Sequence, residues 1–141
     1  MPAEGGLALL DVPGEPLGVY LRSALDAAGL LGDGSDGVVL PVLTGQTVCQ
    51  VYAGVCLEEP ARQVLAALLA GRPVWTPEEG LSDLGTGALG RLVRERLYTL
   101  RRAGLRICPL GRLAALAAYR GERDHGAGPG PRFGLVYQKI R

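Results

Sequence analysis

The run VVLPVL, residues 38–43, constrains the fold more than any other stretch of this 141-residue chain. Its apolar residues do not alternate with polar ones, which is how a strand buried on both faces reads. Such a strand needs a layer above it and a layer below it. The neighbouring sequence offers both as helix-periodic segments. In residues 15–31, Leu17, Tyr20, Leu21, Ala24, Leu25 and Ala28 recur at helical spacing. Pro16 suits the first turn of that helix, and Gly29 or Gly32 its stop. After the run, Thr44 or Thr47 caps a short helix through Gly54. Pro60 opens another helix, with Val64, Leu65, Leu68 and Leu69 as its stripe and Gly71 at its end. Residues 88–104, ALGRLVRERLYTLRRAG, read as the clearest helix. Leu89, Leu92, Val93, Leu97 and Leu100 face one way, and Arg91, Arg94, Arg101 and Arg102 mostly elsewhere.

Apolar runs punctuate these helices. LALLDVP at 7–13, RPVWT at 72–76, LRICPL at 105–110 and FGLVYQKIR at 133–141 read as further strands. Residues 77–87 read as a long turn, 111–121 as a last short helix, and the Gly/Pro-rich stretch 123–132 as a mobile loop. Strands alternating with helices predict an α/β fold: one domain over residues 1–141, three-layered and Rossmann-like, with a mostly parallel sheet.

Composition narrows the function classes. Hydrophobic residues make up 48% of the chain, enough to build a core and exclude global disorder. No apolar run reaches the roughly 20 residues of a membrane-spanning helix. The start, MPAEGGLALL, lacks the basic and long apolar regions of a signal peptide, so a cytoplasmic protein is expected. Three cysteines without a C-x-x-C pair indicate neither a disulfide framework nor a zinc site. Charge is divided along the chain. Residues 1–90 hold eleven acids and three Arg, a net −8, while residues 91–141 hold twelve basic residues and three acids, a net +9. The two parts can attract each other within the fold or between copies, giving a homo-oligomer. The basic part can also meet an anionic partner.

Candidate chemistry is sparse. In an open parallel sheet, ligands sit beyond the carboxyl ends of the strands. The turn Thr44, Gly45, Gln46, Thr47 would there join two hydroxyls to a helix N-terminus, a suitable seat for a phosphate. The same threonines can also act as caps alone. No G-x-G-x-x-G follows either early strand. Cys49 and Cys56 would share a face only on a continuous helix, which Gly54 interrupts. With Cys108 they read as small buried hydrophobes. His125, the sole histidine, falls in the 123–132 loop and lacks the fixed position a general base needs. Glu78 and Glu79 read as solvated turn residues, and Trp75 as a packing residue. The Arg-rich helix suits phosphate contact. Nucleic acid is nonetheless a poor fit, because aromatic interleaving is slight and no recognition motif is present.

Residues 38–81, VVLPVLTGQTVCQVYAGVCLEEPARQVLAALLAGRPVWTPEEGL, resemble the central segment of the flavoprotein family that includes cysteine decarboxylases and the dipicolinate synthase small subunit. The matching pieces are Pro41, Thr44, Thr47, Gly54 and Gly71-Arg72-Pro73-Val74. The continuation through residue 110, with its EEG turn, long helix and following strand, is similar to the PduM-like, microcompartment-associated branch of that group. The resemblance spans residues 37–110. It implies a flavoprotein-like fold and an accessory or assembly role in a bacterial microcompartment of propanediol, ethanolamine or glycyl-radical type. The implied partners are shell or encapsulated enzyme. Flavin mononucleotide is the cofactor such a fold would take, its phosphate at Thr44–Thr47, yet residues 11–17, DVPGEPL, lack the family's Gly-Ser turn. Gln46 replaces the family's Asn, and the decarboxylase His has no counterpart. The expectation is therefore a chain without catalytic residues and without a cofactor, docking through Arg91, Arg94, Arg101 and Arg102; the alternative is an FMN-binding flavoprotein with redox or decarboxylase-like chemistry.

Overall fold

The computed structural model describes the backbone of residues 5–126 and the side chains of residues 5–119. Four strands form the main sheet: β1 (Leu7–Leu9), β2 (Gly37–Val39), β4 (Val74–Pro77) and β6 (Leu105–Cys108). They lie in that order and every pair is parallel. The helices are α1 (Pro16–Ala27), α2 (Gly45–Ala53), α3 (Glu59–Leu69), α4 (Gly87–Ala103) and α5 (Leu113–Gly126). A second, two-stranded sheet pairs β3 (Leu43–Thr44) with β5 (Leu81–Ser82), also in parallel. The α/β expectation with a parallel sheet is met.

Side-chain parity assigns the helices to two faces. Leu7, Val39, Trp75 and Cys108 point to one side and pack with Leu21 and Leu25 of α1 and Leu113 and Ala117 of α5. Val38, Leu40, Val74 and Leu105 point to the other, against α2, α3 and α4. The short β2 is buried over its whole length, as an unalternating apolar strand must be.

The direction of winding reverses at β1. After α1 the chain returns as a single parallel bridge, Leu31 to Leu7, on the edge of β1 away from β2. Leu7 N–H donates to the Leu30 carbonyl at 2.7 Å, and Gly32 N–H donates to the Leu7 carbonyl at 2.9 Å. The chain then turns through residues 33–36 and enters β2 on the opposite side of β1. Parallel crossovers keep one hand, so a reversed direction places α1 on one face and α3 and α4 on the other. The crevice where such a sheet reverses therefore lies between the carboxyl ends of β1 and β2.

Three expectations need correction. The run 38–43 is not one strand. β2 stops at Val39, and Leu43–Thr44 belongs to the second sheet. Pro41 has no N–H to give a ladder, which ends the pairing there. Residues 77–87 are not merely a turn, because β5 lies within them. Residues 123–126 belong to α5, so the start of the expected loop and His125 are helical. The rest of that loop and the expected strand 133–141 lie outside the described residues.

Thr76 is fully buried in β4, and its Oγ1 has no hydrogen-bond partner among the described residues. An unsatisfied buried hydroxyl costs about 1–3 kcal/mol. Thr76→Val keeps the shape and removes the hydroxyl. It is expected to raise the thermal midpoint by about 4 °C, read by circular dichroism.

Candidate functional site

Two places concentrate polar side chains: the switch-point crevice and the outer face of α4. In the crevice, Leu10 N–H donates to the Val39 carbonyl and Leu40 N–H to that of Trp75, so both loops leave the sheet together. The β1 loop brings carboxylates. Asp11 accepts two hydrogen bonds from the Arg22 guanidinium, at 3.0 and 3.1 Å. That partner holds its carboxyl below the usual range. Glu15 is the N-cap of α1, and its Oε1 accepts from Gly18 N–H at 2.9 Å. A carboxylate thus occupies the helix start where a phosphate would otherwise find free N–H groups.

The β2 loop leads to the turn Thr44–Thr47. These residues do come together at the start of α2, as adjacent positions must. Thr44 is the N-cap, and its Oγ1 accepts from Thr47 N–H at 3.2 Å and lies 3.2 Å from Thr47 Oγ1. Gly45 N–H donates to the Asp83 carbonyl at 3.2 Å. Asp83 takes a positive φ of 53°, which Asp tolerates better than most residues. A Cβ on Gly45 would press against the backbone of Asp83 and Leu84, so this helix start is covered by the segment after β5. Thr47 is buried and only Gln46 is exposed. Sequence reasoning missed Asp83, for which there was no signal beyond its place in a turn.

The other singled-out groups serve the fold. Cys49 and Cys56 do not share a helix, because α2 ends at Gly54 with φ 76°, and Cys56 Sγ donates to the Gln50 carbonyl at 3.7 Å. Burial pushes the Cys108 thiol up, away from thiolate chemistry. Glu79 is exposed and accepts from Leu110 N–H at 2.9 Å. Trp75 is buried, with the Arg106 guanidinium 5.3 Å from its ring centre. No group of three or more His, Cys, Asp or Glu suited to a metal ion occurs among the described residues, and no described helix is long and apolar enough to cross a membrane.

On α4 an open groove of about 690 Å³ is lined by Gly87, Arg91, Arg94, Glu95, Tyr98 and Thr99. At about 100° per residue, Arg91, Arg94, Arg101 and Arg102 fall within one arc of about 100°, with Tyr98 near its centre. The sequence-based partner residues are therefore brought together on one face. Arg94 is fixed there by donating to the Gly85 carbonyl at 2.9 Å and the Gly90 carbonyl at 3.1 Å. Arg102 lies 6.0 Å from the Tyr98 ring centre. Arg91 and Arg101 make no ion pair among the described residues. Tyr98 is 61% exposed. On the α2 side of the helix, Arg96 stacks over Tyr52 at 4.5 Å, and Leu89 and Leu92 are 69% and 38% exposed. The expected stripe included these two leucines, whereas the buried positions are Gly90, Val93, Leu97 and Leu100.

Comparison with family models, with curated proteins and with solved structures finds no match to this chain.

Proposed function

We propose that this chain is a non-catalytic binding protein of flavoprotein-like fold that docks a partner through the outer face of α4. The resemblance in residues 37–110 suggests the setting: an accessory or assembly component of a bacterial microcompartment, with shell protein or encapsulated enzyme as partner and the cytoplasm as its location. The observation that carries the reading is how differently the two candidate places use their polar groups. At the crevice, Glu15, Thr44 and the Asp83 carbonyl are already engaged with the helix starts that an anionic cofactor would use. On α4, Arg91 and Arg101 are exposed beside an open groove, with an exposed aromatic ring between the arginine rows. Exposed cations near an apolar anchor suit association with another protein better than chemistry on a small molecule.

The test has two arms. Purified microcompartment shell proteins and encapsulated enzymes are each sedimented with the chain at low and at moderate salt. Retention of the chain with one of them, weakened by salt and reduced roughly tenfold or more when Arg91, Arg94, Arg101 and Arg102 are all changed to Gln, is the expected result. In the second arm flavin mononucleotide is titrated with the chain. Unquenched flavin fluorescence is expected. A yellow protein that quenches flavin at stoichiometric concentration would replace this reading with a flavoprotein one.

A further inference from the structure

We infer that the groove on α4 takes one acidic amphipathic helix, with Tyr98 as the apolar anchor of the contact. This rests on the reading of α4 as a docking face and adds the chemistry and shape of what docks. The residues of the groove span Gly87 to Thr99, about 18 Å along the helix axis. That is the length of a few turns of a partner helix. On this face Tyr98 forms a midline with Gly87, which has no side chain to fill the space beside it. Arg94 and Arg91, which line the groove, lie on opposite flanks of the midline by helical phase, and Arg101 and Arg102 continue those flanks beyond its end. A ligand that matches both features carries an apolar stripe with carboxylates on each side of it.

Other ligand classes match less well. A nucleic acid strand brings phosphates at close, regular intervals and bases that want stacking platforms. This groove offers one aromatic ring, and Glu95 lines it among the arginines. A helix can leave a gap opposite Glu95, because its side chains are chosen position by position. Arg94 strengthens the case for a defined geometry. Its two hydrogen bonds to backbone carbonyls hold the guanidinium in place before any partner arrives, and groups already held lose less freedom on binding.

The probe is a synthetic peptide of about 20 residues with leucine at every third or fourth position, glutamate on both flanks and alanine elsewhere. Its scrambled counterpart has the same composition and no stripe. Binding is followed by fluorescence anisotropy, and the surface by hydrogen exchange of the full chain. The striped peptide is expected to bind at least tenfold more tightly than the scrambled one and to slow exchange within residues 87–102. Tyr98→Ala is expected to weaken it about tenfold, and Arg91→Glu with Arg101→Glu more, both with an unchanged circular dichroism spectrum.

Equal binding of the two peptides, or displacement of the striped peptide by a single-stranded oligonucleotide at equal charge concentration, would reduce the groove to a polyanion surface and overturn the inference. Exchange of residues 87–102 that slows further as protein concentration rises, without peptide, would assign the groove to a second copy of the chain and would overturn it too. Sedimentation with a shell protein or enzyme that survives Tyr98→Ala and both Arg→Glu changes would leave the binding role standing and remove the groove from it. Flavin binding would remove the binding role itself.

Discussion

Gly80→Ala is expected to destabilise the fold by about 3 kcal/mol or more, although it adds a single methyl group. Gly80 is buried in the turn between β4 and β5. Its backbone angles suit any residue, so the effect is one of space. A Cβ there would collide with the Pro41 carbonyl oxygen and touch the Pro77 ring. A flexible side chain could give way, but a carbonyl held just beyond the end of β2 cannot. The chain must therefore separate the segment after β4 from the segment after β2. That movement would pull β5 from β3 and lift the Asp83 carbonyl from Gly45 N–H. Thermal unfolding should show a fall of about 10 °C, and amide exchange at Gly45 should rise. Gly54→Ala is the contrasting case. Nothing lies within 4 Å of its added Cβ, but φ is 76°, so it should cost only about 1–2 kcal/mol through conformation. Similar losses for the two variants would mean that the Pro41–Gly80 contact does not seat the β5 segment.

Glycines also mark the limit of what periodicity reveals. In α1 the expected stripe included Tyr20 and Ala28, yet both are exposed, while Gly18 is buried. In α4 the stripe included Leu89 and Leu92, yet Gly90 takes the buried place. The cause is the same in both helices. A Cβ on Gly18 would meet Asp11 at 2.7 Å, and one on Gly90 would meet the Gly85 backbone. A neighbouring loop lies directly on the helix there, and a residue without a side chain adds nothing to a hydrophobic count. A lone glycine inside a helical pattern was the available signal. The break at Pro41 was equally legible, since a proline inside a supposed central strand argues against it. The pairing of Leu43–Thr44 with Leu81–Ser82 was not, because two-residue strands have no period to detect. The helix start at the candidate turn was legible from Thr44 as a cap, and the structure has Thr44 as the N-cap of α2. What the cap could not reveal was that the Asp83 carbonyl, distant in sequence, occupies the Gly45 N–H that a phosphate would need. The arginine face was legible because helical spacing alone fixes it.

The second large effect concerns how α2 and α3 are joined. Gln50 is 8% exposed on α2. Its Oε1 accepts from Leu57 N–H at 2.8 Å and Glu58 N–H at 3.3 Å, and its Nε2 donates to Glu58 Oε2 at 3.1 Å. Its backbone carbonyl accepts from Gly54 and Val55. The side chain of Glu58, the N-cap of α3, makes no capping bond, so Gln50 satisfies that helix start from another helix. Gln50→Leu conserves bulk but leaves two amides without acceptors, and should cost about 3 kcal/mol in denaturant unfolding. Gln50→Glu is the sharper probe. It keeps the acceptor and sets a second carboxylate against Glu58. Like charges at that distance raise the folded pKa of the pair above its unfolded value. The native state then binds the extra proton, so the variant should regain stability as pH falls from 7 toward 4 and lose it again as pH rises. Adding Glu58→Gln restores an amide facing a carboxylate with the donor on the other side. The double variant should return to within about 1 kcal/mol of the parent at pH 7, and the cycle should give a coupling of opposite sign to the single losses. If the double variant instead loses the sum of the two, Gln50 and Glu58 act independently. The loop of residues 54–58 would then owe its place to the bonds that the Gln50 side-chain oxygen and backbone carbonyl accept, and not to the bond between Nε2 and the Glu58 carboxylate.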